Sequence, residues 1–172
     1  SIISLIAFAL SALSTVSFAR DDEDAIGKLS SFKATHKDVD WVRVDQNTKF
    51  ADNVRKNILP KIKMPAGFKI ELFAVVPDAR NMAVSRNKGA VWIGTRKDKV
   101  WQATDRDMDN IADTVEQFAP TVNFDIPNGP CYSDDGHLYI AERNRVLWFP
   151  AAEYFMESAD TVAIPIINQG EL

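Results

Sequence analysis

The sequence predicts an all-β fold from Phe68 to the end of the chain. Short runs of strand-period alternation recur there, no long helical period interrupts them, and one strand pair returns 47 residues later. The chain of 172 residues, 46% hydrophobic, is long enough to bury a core, and its charged content of 26% excludes a disordered or collagen-like chain. A net charge of −4 argues against non-specific nucleic-acid binding. The single cysteine, Cys131, excludes an internal disulfide, a thiolate zinc centre and an attached c-type haem.

Residues 1–19 carry no charge. Ile2 to Leu13 is an apolar run too short for a comfortable membrane span, and Ser17-Phe18-Ala19 places small residues at a cleavage site. Arg20-Asp21-Asp22-Glu23-Asp24 follows, through which no membrane helix continues. The segment reads as a secretory signal peptide cut after Ala19, with a buried helix as the alternative. Its basic n-region and an initiator Met are missing, so the sequence is expected to start inside its gene product. Export implies a periplasmic or secreted protein with no membrane span after cleavage, and in that setting Cys131, between Pro130 and Tyr132, is expected to be buried.

Residues 20–47 form a polar linker, irregular from Arg20 to Asp45. Residues 48–63 hold a short helix and its connector. Asn47 or Thr48 caps a helix from Lys49 to about Leu59, whose stripe is Phe50, Val54, Asn57 and Ile58. Pro60 and Pro65 stop it.

Strands then succeed one another: Phe68 to Leu72, Asn81 to Ser85, Ala90 to Thr95, Lys99 to Ala103, Thr114 to Phe118, Gly129 to Ser133, His137 to Ala141, Arg145 to Phe149, and Thr161 to Ile167. Turn residues such as Arg86-Asn87-Lys88-Gly89 separate them. The stretch Gly89 to Arg96 superimposes on Gly136 to Arg143, and Asn81 falls on Asn128, all at the one offset of 47. A repeat of about 40–50 residues built of four short strands is the signature of a propeller blade. Residues 64–172 span a little over two such repeats, so an open arc with an exposed sheet edge is expected.

Between two strands lies Asp105-Arg106-Asp107-Met108-Asp109-Asn110-Ile111-Ala112-Asp113-Thr114-Val115-Glu116. Its carboxylates occupy positions 1, 3, 5, 9 and 12 of a calcium loop, with Asn110 at the glycine position. Asp105, Asp107, Asp109, Asp113 and the Ile111 carbonyl are the candidate metal ligands. The flanks are strands rather than EF-hand helices, and a solvated acidic turn stays open as the alternative.

Leu59 to Ala74 resembles the opening of the glucose/sorbosone dehydrogenase-like family, secreted quinoprotein propellers that use pyrroloquinoline quinone (PQQ). Ala79-Arg80-Asn81-Met82-Ala83-Val84, Val91 to Arg96, Ile126-Pro127-Asn128-Gly129 and Leu138 to Val146 are similar to further stretches of that family, in order. The acidic loop resembles an insert of its sorbosone-type branch. The resemblance implies a partial six-bladed propeller with about two blades in this chain. It implies PQQ at the channel mouth, a small sugar substrate oxidised at an alcohol or aldehyde carbon, and an electron acceptor such as a cytochrome or a quinone pool. Innermost strand ends point into such a channel. Arg80, Asn81, Arg96, Asn128 and Glu142 are therefore the cofactor-binding candidates, with Arg80 and Arg96 best suited to the cofactor carboxylates. The alternative for Arg96 and Arg143 is pairing with acidic neighbours. His36 lies in the linker and His137 starts a strand after Asp134-Asp135-Gly136, so neither is assigned as catalytic base; that histidine is expected beyond Leu172. A calcium-dependent propeller lactonase, with Asn128 and Glu142 among its ligands, and a non-catalytic binding propeller are the competing readings.

Overall fold

The computed structural model describes residues 42–87, 89–155, 161–168 and 170–171, all within the unit Asp38–Leu172. The expected signal segment and most of the linker lie outside the described residues. Among the described residues the fold is mostly β: two antiparallel four-stranded sheets and one short α-helix, with no closed barrel. The first sheet runs β1 (Ala79–Val84), β2 (Ala90–Thr95), β3 (Val100–Thr104), β4 (Thr114–Phe118). The second runs β5 (Gly129–Tyr132), β6 (Leu138–Ala141), β7 (Val146–Phe149), β8 (Ile164–Ile167). In each sheet the strands lie side by side in chain order, so the sequence repeat is a structural one.

Thr48 caps the helix α1 (Lys49–Asn53), its Oγ1 accepting from Ala51 N–H at 3.2 Å. The helix does not continue to Leu59 as α. A π turn (Val54–Ile58) and a 3-10 turn (Leu59–Lys61) follow. The wider i→i+5 turn rotates later residues off the 3.6-residue stripe. Ile58 is exposed, and within the preceding α turn Ala51 is the buried position and Phe50 is exposed.

The predicted strand from Phe68 to Leu72 does not form: these residues are irregular, and Phe68 is 68% exposed. Alternation makes a strand only where a neighbour completes the ladder, and the free edge beside β4 is taken by the last linker residues. Gln117 N–H donates to Val42 O and Val44 N–H to Val115 O, both at 2.9 Å, and Arg43 pairs with Glu116 at 2.6 Å. The Gln46 carboxamide then clamps Val75, donating to its carbonyl at 3.0 Å and accepting from its N–H at 2.7 Å.

The central strands β2 and β3 of the first sheet are buried on both faces, which explains why β2 is almost continuously apolar. Ala90, Trp92 and Val100 meet Leu138, Ile140, Leu147 and Phe149 of the second sheet. Val91, Ile93, Trp101 and Val115 are covered by Val44, Phe73, Ala74 and Val76. The second sheet alternates instead. Its far face carries the cross-strand row Cys131, Tyr139, Trp148 and Ile164, partly open to solvent. Cys131 is thus exposed, against expectation, because the period of two turns it away from the core.

Tyr132 joins the sheets: its ring stacks on Trp92 at 5.2 Å and its hydroxyl donates to Glu153 Oε2 at 2.5 Å. Burial, and then the Glu153 carboxylate, push its phenol up to about 12. Below pH 10 the phenol is neutral whether folded or unfolded. Above about pH 10 the unfolded phenol ionises first, so this contribution to stability declines as pH rises toward about 12. Ultraviolet titration of the wild type minus Tyr132→Phe is expected to isolate one phenol ionising near 12. A difference curve centred near 10 would contradict the coupling to Glu153.

Candidate functional site

The two sheets approach most closely at their first strands, β1 and β5. At the start of β1 the register slips between Ala79 and Met82, so Arg80 and Asn81 bulge opposite Gly94. A bulge re-aims its side chains. Here it brings the Asn81 carboxamide to Asn128, with Nδ2 donating to Asn128 O at 3.0 Å and Oδ1 at 3.3 Å. The two residues share one position in the repeat, 47 apart.

Asn128 is delivered by a tight loop. Ile126 N–H donates to Lys97 O and Asn128 N–H to Ile126 O, each at 2.8 Å. The loop lies directly on β2, because a Cβ at Gly94 would stand 2.2 Å from Pro127 O and 2.9 Å from Pro130 Cδ. Ile126 takes φ +52, a costly conformation for a β-branched residue, beside the pocket it helps to line.

Glu142 closes the site from the end of β6. Its side chain is 1% exposed, and Arg145 neutralises it, Nε to Oε2 at 2.6 Å and Nη2 to Oε1 at 3.3 Å. Arg145 also donates to Asn123 O at 2.6 Å. Arg143 pairs with Asp125 at 3.6 Å. Asn81, Asn128, Glu142 and Arg143 line one cavity of about 280 Å³. A second, of about 220 Å³, lies on the other side of Glu142.

Three of the five cofactor candidates, Asn81, Asn128 and Glu142, thus come together. Arg80 and Arg96 do not line that cavity. Both are exposed, flank the paired residues Ala79 and Thr95, and have no partner among the described residues. Pairing with acidic neighbours holds for Arg143 and not for Arg96. His137 stands at the opposite end of β6, its Nδ1 3.5 Å from Asp135 and its ring edge-on to Trp148. Asp135 is held below the usual carboxylate range by the Ser133 hydroxyl, with a smaller effect of His137.

In the acidic loop, oxygens of Asp105, Asp107 and Asp109 lie within 4.8 Å of one another. Asn110 takes φ +70 at the glycine position. Asp113 stands outside that group, its Oδ2 accepting from Arg106 N–H at 2.7 Å. Glu116, at position 12, is drawn away to Arg43.

Sequence reasoning missed Arg145, Asp125 and the Gly94 contact. The signal for Arg145 was its place three residues after Glu142, across a tight turn. Compared with protein-family models, with curated proteins and with solved structures, the chain matches none.

Proposed function

We propose that this chain forms the first two blades of a six-bladed propeller, and that the protein is a secreted PQQ-dependent sugar dehydrogenase of the glucose/sorbosone type. The observation that carries the reading is the meeting of Asn81 and Asn128 at 3.0 Å. Repeat-equivalent residues of two sheets touch when both sheets turn their first strand to a common axis. The family-like stretches at Arg80-Asn81, Arg96, Asn128-Gly129 and Glu142-Arg143 all fall at that end. The apolar far face of the second sheet, with Tyr139 and Trp148 partly open, suits a further blade.

The residues present fit the cofactor in one respect. Arg80 and Arg96 are exposed cations with no partner among the described residues, suited to bidentate contact with carboxylates. Glu142 adds no uncompensated negative charge, because Arg145 already holds it. PQQ, when bound, supplies the acceptor for the hydride of the sugar carbon. This chain's share would be to bind and orient: Arg80 and Arg96 would hold carboxylates, and the Asn81–Asn128 pair fixes the bulge that presents Arg80. On this reading an electron acceptor such as a cytochrome or a quinone pool would be the partner, in a periplasmic or secreted setting.

Convergence of Asn81, Asn128 and Glu142 favours a second reading, a calcium-dependent lactonase. Calcium would there have to displace Arg145 from Glu142. The test adds PQQ and Ca²⁺ to the full-length protein and measures dye reduction over a panel of sugars, with lactone hydrolysis in parallel. Dye reduction that depends on PQQ is expected. Arg80→Ala and Arg96→Ala are each expected to raise the half-saturating PQQ concentration about tenfold. Lactone hydrolysis without PQQ dependence would replace this reading with the second.

A further inference from the structure

We infer that the loop from Asp105 to Asp113 is a calcium site, with Asp105, Asp107 and Asp109 as its carboxylate ligands. Three carboxylates within 4.8 Å repel one another and by themselves imply no ion. The deciding observation is Asp105. It is 4% exposed, and its Oδ1 is buried with no hydrogen-bond partner among the described residues. Its Oδ2 accepts from Asn110 N–H at 3.0 Å, so the carboxylate is turned into the loop that Asp107 and Asp109 close. A buried carboxylate oxygen without a donor is costly, and a cation removes that cost.

The chemistry selects a hard divalent ion. Every side-chain donor is a carboxylate oxygen, and Ile111 occupies loop position 7, where such loops supply a main-chain carbonyl. Asp107 and Asp109 are exposed, which leaves the outer coordination positions to water. Calcium accepts 6–8 oxygens in irregular geometry, whereas magnesium demands a near-octahedral shell and sheds water reluctantly. Glu116, which would supply two oxygens in an EF-hand, stays with Arg43. The affinity expected is that of extracellular calcium modules, a dissociation constant of about 10⁻⁴–10⁻³ M. The bound ion joins the end of β3 to the start of β4 and does no catalysis. This inference stands whether or not the protein is a quinoprotein.

The test is Ca²⁺ binding to the full chain after chelator treatment, by calorimetry and by thermal melting. Wild type is compared with Asp107→Asn/Asp109→Asn, whose exposed substitutions are compatible with folding, and with Asp105→Asn. Wild type is expected to bind one more equivalent of Ca²⁺ than either variant. About 5 mM Ca²⁺ is expected to raise its melting temperature by roughly 5 °C, an increment that both variants lose. The same concentration of Mg²⁺ is expected to give less than half of it. Equal Ca²⁺ stoichiometry in wild type and the double variant, or equal shifts with Ca²⁺ and Mg²⁺, would overturn the assignment.

Discussion

Gly94→Ala is expected to destabilise the protein by about 3 kcal/mol, the upper end of the usual cost of overpacking. The added methyl would stand 2.2 Å from Pro127 O, 2.9 Å from Pro130 Cδ and 3.2 Å from Asn128 C. None of these is the end of a flexible side chain, so the loop itself must move. Moving it pulls Asn128 from Asn81 and strains a segment already forced to φ +52 at Ile126. Gly89→Ala is the control: its Cβ would meet Asp105 O at 3.4 Å, an ordinary contact, and its effect is expected within about 0.5 kcal/mol. Urea unfolding of the two variants measures the contrast. Equal midpoints would show that the loop does not rest on β2.

Trp92→Ala is expected to cost about 3–5 kcal/mol. Trp92 is fully buried, stacks on Tyr132 at 5.2 Å, meets Phe118 edge-on at 6.2 Å, and donates Nε1–H to Gln102 at 3.2 Å. It is the largest side chain between the sheets, so its removal leaves a cavity walled by two rigid layers. Loss of near-ultraviolet circular dichroism at retained β content would show the sheets separating before the strands melt. A cost below about 1 kcal/mol would mean that the sheets do not pack through this ring.

Much of the strand pattern was legible in the sequence because β2, β3, β6 and β7 carry their burial in their own side chains. The 47-residue offset worked for the same reason: equivalent strands face equivalent neighbours, and Asn81 finds Asn128. Local pattern failed where the outcome belonged to a distant partner. Phe68 to Leu72 alternates as a strand should, yet Val42 and Val44 hold the edge beside β4. Cys131 has an apolar setting, but its face of the second sheet is open.

The candidate site was legible in part. The repeat pointed to Asn81, Asn128 and Glu142. The ion pair that neutralises Glu142 depends on a turn that folds Arg145 back, and the closeness of Pro127 to Gly94 depends on a loop with no periodic signal. The calcium-loop spacing marked Asp105, Asp107 and Asp109. It could not say that Glu116 lies mid-strand, opposite Gln102 and paired with Arg43.

The central claim is that two like sheets bring their equivalent first strands together at Asn81 and Asn128. Its most direct test is a cross-link between Asn81→Cys and Asn128→Cys, with Cys131→Ser to remove the exposed native thiol. The Asn81 side chain reaches the Asn128 main chain at 3.0 Å, so thiols introduced at the two positions share one small volume. Mild oxidation of the folded protein is expected to give a monomer with an internal disulfide, seen as faster migration on a non-reducing gel and a mass lower by two hydrogens. Free thiols after oxidation, or disulfide-linked dimers alone, would contradict the arrangement of the two sheets.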